Sequence, residues 1–367
     1  MKVGIVVYVD IETTSGGFLY DRKLVEALRE AGDDVQVVEL PWRNYSRSLA
    51  DSLRSKVGRH LPEDLDVLVE DELCHPSLVA TDPDLPVVAL VHHLRASEAR
   101  SGWRERLGRP VERRIERRYL QRVDAAIYAS DATRRAAERL ARWRPDEAPP
   151  TIVARPAGDR FDPKIGDVER AIAERTDRDP FRVLFVGALV PRKGLHTLLD
   201  GLRGVAGDWQ LTVVGEQKDE SYFARVREQV RANDLSERVT FRGRLGDDAL
   251  AEAFARSHLL AVPSTYEGFG IVYAEGMSFG LPALATTEGG ATELVTHGED
   301  GFLVAPESPG AVAEAVRELL RNRERLREMS LAARRRYEAH PGWNETMAEI
   351  RGFLQQVADT DQREVPA

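Results

Sequence analysis

Cysteine is almost absent: Cys74 is the only one in 367 residues. One thiol cannot close an intrachain disulfide, so a disulfide-stapled scaffold is excluded and nothing points to an oxidising compartment. Long apolar runs are missing too, with none near the ~20 residues that cross a bilayer. The apolar opening Met1–Val9 runs into Asp10 and Glu12 without a small-residue cleavage site, and reads as a buried strand rather than an export signal. There is no excess of positive charge. The net charge is -9, with 26 basic against 27 acidic residues in 1–160 and 26 against 34 in 161–367. A chain that coats nucleic acid would be basic overall, so no nucleic-acid partner is expected. Low-complexity tracts, short repeats and zinc-type Cys/His spacings are lacking. What remains is 42% hydrophobic and 31% charged, the composition of a globular, cytoplasmic protein. At ~150 residues per domain, two domains are expected.

Short β-branched runs alternate with longer amphipathic ones. Val3–Val9, Val35–Leu40, Asp66–Glu70, Val87–His92, Ala125–Ala129 and Thr151–Arg155 read as strands. In Phe18–Ala31, Leu24, Ala27, Leu28 and Ala31 recur at helical spacing. Around Ala157–Pro180 the pattern lapses into Gly, Pro and charge, which predicts a linker. A second alternation follows: Arg182–Val186, Gln210–Val214, Val239–Phe241, Leu259–Val262, Pro282–Ala285 and Phe302–Val304. The tail is helical, with a break at His340-Pro341-Gly342. The expectation is an α/β protein of two doubly wound domains, residues 1–160 and 161–342, with a final helix and tail over 343–367. Ligand should lie in the cleft between the domains, beyond the carboxyl ends of the strands.

The densest signal is Pro263-Ser-Thr-Tyr-Glu267-Gly268-Phe269-Gly270, which leads through Glu275 to Gly280-Leu-Pro282. It predicts a strand end, a turn and a helix beginning near Phe269. Both glutamates would face a ligand, the glycines would admit it to the backbone, and the helix N-terminus would offer amides to an anion. Carboxylates suit vicinal hydroxyls because they accept hydrogen bonds from both. Arg192 and Lys193 follow another strand, where a fork and a point charge could clamp a diphosphate. Gly16 and Gly17 follow the first strand, a position that permits close backbone approach. Val91-His92-His93 ends a further strand.

Glu267-x7-Glu275 with Gly280-x-Pro282, Gly289-Gly290-x-x-Glu293 and Asp300-Gly301-Phe302-Leu303-Val304 resembles the signature of family 4 retaining glycosyltransferases. Upstream the resemblance takes in Val186-Gly187-x4-Arg192-Lys193-Gly194 and Ser15-Gly16-Gly17. It implies the GT-B fold: two Rossmann-like domains facing a cleft, an N-terminal one for acceptor and a C-terminal one for donor, with the last helix crossing back to the N-terminal domain. It implies transfer of a hexose-type sugar from a UDP- or GDP-type nucleotide sugar to an acceptor hydroxyl, lipid-linked, glycan or small molecule. Glu275 would bind the ribose hydroxyls and Glu267 the donor sugar, helped by amides around Phe269 and Gly270. Arg192 and Lys193 would stabilise the leaving diphosphate, and His92 rather than His93 would lie near the anomeric centre. The chemistry implied is front-face and needs neither metal nor cofactor.

Two departures stand out. Many relatives carry arginine where this chain has Ala188, and Gly215 is followed by Glu216-Gln217 instead of x-Gly. Asp82-Pro83-Asp84 matches a metal-binding Asp-x-Asp only formally, since Pro83 and Pro86 mark a turn. The same nucleotide site could serve an epimerase, phosphorylase or hydrolase; a two-lobed binding protein is a further alternative. A dehydrogenase lacks its Gly-x-Gly-x-x-Gly after the first strand, and Lys193-Gly194 excludes a P-loop.

Two basic stretches remain. Trp42–Leu61 holds Arg43, Arg47, Arg54, Lys56 and Arg59, with Leu49, Leu53, Val57 and Leu61 every fourth residue and Asp51 as the one acid. Arg95–Arg122 holds ten arginines against four glutamates, plus Trp103. They read either as helices packed on the sheet or as peripheral contact with an anionic membrane.

Overall fold

The structure, a computed structural model, describes residues 1–8, 16–53, 64–97, 103–144, 147–161 and 163–364, with the backbone alone for 103–107 and 361–364. Ser15, Arg54, Lys56, Val57, Arg59, His60 and Leu61 of the sequence reading lie outside the described residues, as does the side chain of Trp103. The chain divides into two units, Met1–Pro156 with Trp343–Ala367, and Ala157–Gly342.

In the first unit the strands are β1 (Lys2–Tyr8), β2 (Asp34–Leu40), β3 (Val67–Asp71), β4 (Val87–Val91), β5 (Ala125–Tyr128) and β6 (Thr151–Val153). The helices are α1 (Gly16–Glu30), α2 (Tyr45–Leu53), α3 (His75–Leu78), α4 (Trp103–Leu120) and α5 (Asp131–Ala141). The six strands pair in parallel in the order β2-β1-β3-β4-β5-β6. All five residues of β3 and of β4 are buried, as expected of parallel strands covered on both faces. The strand order reverses between β1 and β3, so the chain leaves these two strands in opposite directions and opens a crevice at their carboxyl ends.

The second unit holds α6 (Ile165–Thr176), β7 (Phe181–Val186), α7 (Leu195–Arg203), β8 (Trp209–Val214), α8 (Glu220–Ala232), β9 (Val239–Gly243) and α9 (Asp247–Arg256). It continues with β10 (Leu259–Ala261), α10 (Ile271–Ser278), β11 (Ala283–Thr286), α11 (Ala291–Leu294), β12 (Gly301–Val304), α12 (Pro309–Arg321) and α13 (Arg323–Glu338). Its parallel sheet runs β12-β11-β10-β7-β8-β9, the Rossmann order, with its switch point between β7 and β10. Leu195, Leu198, Leu199 and Leu202 put one apolar stripe of α7 into the core of this unit.

Three expectations need correcting. Residues 157–180 are not a linker: α6 lies among them, and it buries Val168, Ile172 and the aliphatic stem of Arg175. Its amphipathic repeat is short and charge-rich, so composition hid it; the guanidinium of Arg175 instead caps carbonyls of Phe279 and Gly280, at 2.9 and 2.6 Å. The unit boundary falls at Pro156 rather than 160, which places Arg160 in the second unit. The helix after Glu267 starts at Ile271, two residues beyond Phe269, because Gly270 takes a left-handed conformation.

The final helix, α14 (Trp343–Glu364), belongs to the first unit and packs against α1. Trp343 meets Tyr20 edge-on, Arg351 donates to buried Asp33 at 2.7 Å, and Thr346 Oγ1 donates to the Arg155 carbonyl at 2.8 Å. Residues distant in sequence are thereby tied into one core.

Candidate active site

At the switch point of the second unit, the loops after β7 and β10 are laced together. Arg192 and Lys193 sit on a single 3-10 turn, Pro191–Lys193. The Thr265 amide donates to the Arg192 carbonyl at 2.8 Å, and Arg192 Nη1 donates to the Tyr266 carbonyl at 3.0 Å. Gly194 closes the turn at φ 71°, and a Cβ there would lie 2.0 Å from the Pro263 carbonyl oxygen. Only glycine fits this crossing.

Glu267, 5% exposed, is the hub. Its Oε1 accepts from Lys193 Nζ and from Ser264 Oγ, both at 2.6 Å, and its Oε2 lies 3.8 Å from Arg192 Nη1. Burial would raise the Glu267 pKa, but the charges of Lys193 and Arg192 outweigh it and hold the carboxyl below its usual range. Burial pulls Lys193 downward, with Glu267 opposing. Two cations thus face one carboxylate in a desolvated place.

The Gly289-Gly290 pair supports this hub. Glu267 bridges Gly289 as an isolated parallel pair, and the Gly290 amide donates to the Glu267 carbonyl at 2.9 Å. A Cβ on Gly289, itself at φ 91°, would sit 1.9 Å from that carbonyl oxygen.

Glu275 stands apart, inside α10 and equally buried. Arg160 Nη1 lies 3.6 Å from its Oε1 and the same guanidinium pairs with Asp247. Burial pushes the Glu275 pKa up, and the Arg160 charge only partly offsets it. Gly268, Phe269 and Gly270 form the turn between the two glutamates; Phe269 is buried and stacks on His340 with ring centroids 5.5 Å apart. Gly215, where the second glycine is missing, lets β8 approach β7: a Cβ there would meet the Gly187 carbonyl at 1.8 Å.

In the first unit, Gly16 and Gly17 begin α1 and His92 follows β4. A Cβ on Gly17 would come within 3.3 Å of His92 Cδ2, so this glycine makes room for the imidazole. His92 Nε2 is 2.9 Å from Asp21 Oδ1, and Tyr20 meets the ring edge-on. Asp82 and Asp84 lie on an exposed loop.

Sequence reasoning missed Ser264, Arg160 and Asp21. Asp21 was visible in principle, because it lies on the same helical face as Leu24 and Leu28, where a charge needs a buried partner. Arg160 was lost in the supposed linker. Ser264 carries no signal of its own.

Two Rossmann-like units with these switch-point loops define a GT-B protein. Residues 169–336 match the family "Glycosyl transferases group 1". A GDP-mannose-dependent alpha-(1-6)-phosphatidylinositol monomannoside mannosyltransferase of Mycobacterium tuberculosis is 34% identical over 183 residues, 47% of this chain and 46% of that protein. A phosphatidyl-myo-inositol mannosyltransferase of Mycobacterium leprae is 29% identical over 98% of this chain and 97% of its own. Sucrose-phosphate synthase from Thermosynechococcus elongatus superposes with a TM-score of 0.82 at 21% identity, over 98% of this chain and 100% of that one. The first of these matches spans about half of the relative's length. The match to the group 1 glycosyltransferases lies within the second unit of the chain. Among the described residues no helix is long and apolar enough to cross a membrane.

Proposed function

We propose that the protein is a retaining, metal-independent glycosyltransferase that moves a hexose-type sugar from a nucleotide diphosphate sugar to an acceptor hydroxyl. The observation that carries this reading is the charge imbalance at Glu267. Among the described residues two cations, Lys193 and Arg192, converge on the single carboxylate of Glu267, and such a pair of cations in low-dielectric surroundings is a strong site for an anion. A diphosphate is the anion of matching size.

On this reading the donor diphosphate draws Lys193 and Arg192, which releases Glu267 to accept hydrogen bonds from the sugar hydroxyls. As the bond to the anomeric carbon breaks, negative charge accumulates on the leaving phosphate, where both cations already stand. Glu275 holds the ribose hydroxyls, with Arg160 beside it partly offsetting the cost of burying its charge. His92 is assigned to the sugar, near the anomeric centre, as the family resemblance implies. The leaving phosphate takes the acceptor proton, which accounts for retention without a carboxylate nucleophile.

The acceptor is taken as a lipid-linked or lipid-borne hydroxyl, in keeping with the mannosyltransferase relatives that act on phosphatidylinositol derivatives. Peripheral contact with the cytoplasmic face of an anionic membrane fits this reading. Trp42, three residues before α2, and Leu53, at its end, are 64% and 70% exposed, Val111 is exposed on α4, and Arg43 and Arg47 are exposed as well. The face that α2 buries is instead Ser48 and Ser52, the latter accepting from the Ala80 amide at 2.9 Å.

Release of nucleotide diphosphate from UDP- and GDP-hexoses, with and without phosphatidylinositol acceptors, tests the activity. The product's anomeric configuration tests retention, and chelator-treated enzyme tests metal independence. Absence of turnover and of any nucleotide-induced thermal shift across the panel would overturn the reading. Salt-sensitive sedimentation with anionic vesicles is expected, and vesicles that leave the protein in the supernatant would remove the membrane contact.

A further inference from the structure

His92 is gripped from two elements, α1 and β3. Asp21, on α1, bonds Nε2; Asp71, the last residue of β3, brings a second carboxylate; and Gly17, one turn before Asp21, leaves space for the ring. One ligand atom from each of Asp21, Asp71 and His92 falls within 4.8 Å of the others. Asp21 is fully buried and Asp71 nearly so, yet Asp21 Oδ2 and Asp71 Oδ2 have no hydrogen-bond partner. Two buried carboxylates this close cannot both ionise without a neighbouring positive charge. Among the described residues the imidazole is the one cationic group in the cluster. Its Nε2 is taken, its Nδ1 makes no hydrogen bond among the described residues, and the side chain keeps 12% of its surface exposed.

We propose that Asp21 and Asp71 are positioning residues that fix His92 through Nε2 and keep the ring protonated, leaving Nδ1–H as a charged donor to an oxygen of the bound sugar donor. His92 then neither abstracts nor delivers a proton; it offers a hydrogen bond that strengthens as the oxygen gains charge. This deepens the reading of His92 given above and rests on it for the identity of the ligand, although the clamp itself does not.

Electrostatics agree with the geometry. Burial alone would lower the His92 pKa, but Asp21, then Asp71 and Glu72, outweigh it and raise it to about 9. Burial first, and then the Asp21 charge, push Asp71 up. The other titratable groups nearby are the Tyr20 phenol on α1 and the Cys74 thiol beyond Asp71, and burial raises both. Each is neutral across the working range, so the balance lies between His92 and the carboxylates.

The test is a titration of the His92 ring in the full chain by imidazole ¹⁵N NMR, the signal being assigned by its loss in His92→Gln. A midpoint near 9 is expected in the wild type, with both ring nitrogens protonated at pH 7.5. In Asp21→Asn the midpoint should fall by two pH units or more, and in Asp71→Asn by less. A neutral ring at pH 7.5, or the same midpoint in Asp21→Asn, would overturn the proposal. Added Mn²⁺ that broadened the His92 signal would overturn it too, by showing a cation site in place of a shared proton.

Should Asp21→Asn not fold, Asp71→Asn and Gly17→Ala give the same readout, the latter by placing a methyl against the Cδ2 edge of the ring. In transfer assays, the alkaline limb of kcat should track the NMR midpoint and move to lower pH in Asp71→Asn, with the KM for donor little changed. A uniform loss of rate with an unmoved limb would reduce both acids to structural residues. If the titration behaves as expected and no donor turns over, the clamp stands and the transferase reading fails.

Discussion

The two units each bury an acid–base cluster at the switch point of a parallel sheet, but with opposite surplus. Around Glu267, among the described residues, two cations meet one carboxylate, and the glutamate is held ionised. Around His92 the carboxylates outnumber the cation, and the imidazole holds its proton. A cluster with spare positive charge attracts an anionic ligand, whereas one with spare carboxylates retains protons and fixes a donor in place. The same crevice geometry therefore serves two purposes, and the count of charges decides which.

The largest effect expected on this comparison comes from Lys193→Ala. It removes both the diphosphate contact and the partner of Glu267, and should lower kcat/KM on the order of 10³-fold, as loss of a transition-state donor does elsewhere. Steady-state kinetics with a saturable donor checks it. Gly289→Ala comes next: its Cβ would collide with the Glu267 carbonyl, and a loss of about 2–4 kcal/mol in urea unfolding is expected.

Glu275→Gln sharpens the contrast inside the second unit. Nucleotide affinity should fall about tenfold, the scale of one or two charged hydrogen bonds, while the thermal midpoint at pH 7.5 holds steady or rises. Glu267→Gln should instead lower that midpoint, because it leaves Lys193 buried beside another cation.

The pH dependence separates the same two glutamates with the smallest effect. The folded pKa of Glu267 is lowered, so its stabilisation is present above the ordinary glutamate value and is lost as pH falls through the folded one. For Glu275 the folded pKa is raised; its contribution is complete below the ordinary value and is lost as pH rises through the folded one. Unfolding curves between pH 3 and 8 should lose their upper slope in Glu275→Gln and their acid slope in Glu267→Gln. Identical profiles in the two variants would break the comparison.

Much of this molecule was legible in the chain. Every run read as a strand overlaps a strand of the structure, from Val3 in β1 to Val304 in β12, because parallel strands buried on both faces must be continuous and apolar. The Arg192-Lys193 pair and Glu267 were recognisable as chemistry because they follow such strands. What was not legible has a common cause. Arg160 reaches Glu275 across more than a hundred positions, and Asp71 and His92 come to Asp21 from separate strands. Leu53 faces outward and Leu49 is only partly buried, while Ser48 and Ser52 face in, because the Ala80 amide offers Ser52 a hydrogen bond that periodicity cannot foresee.

The sequence by itself determined the alternation of strands and helices, the two sheets and the family resemblance, since these follow from local period, turn chemistry and a linear motif. Only the tertiary structure decided which charges meet, and so whether Glu267 stays ionised, Glu275 resists ionisation and His92 keeps its proton. Those states depend on desolvation and on distances of a few ångströms, and sequence separation carries no information about either.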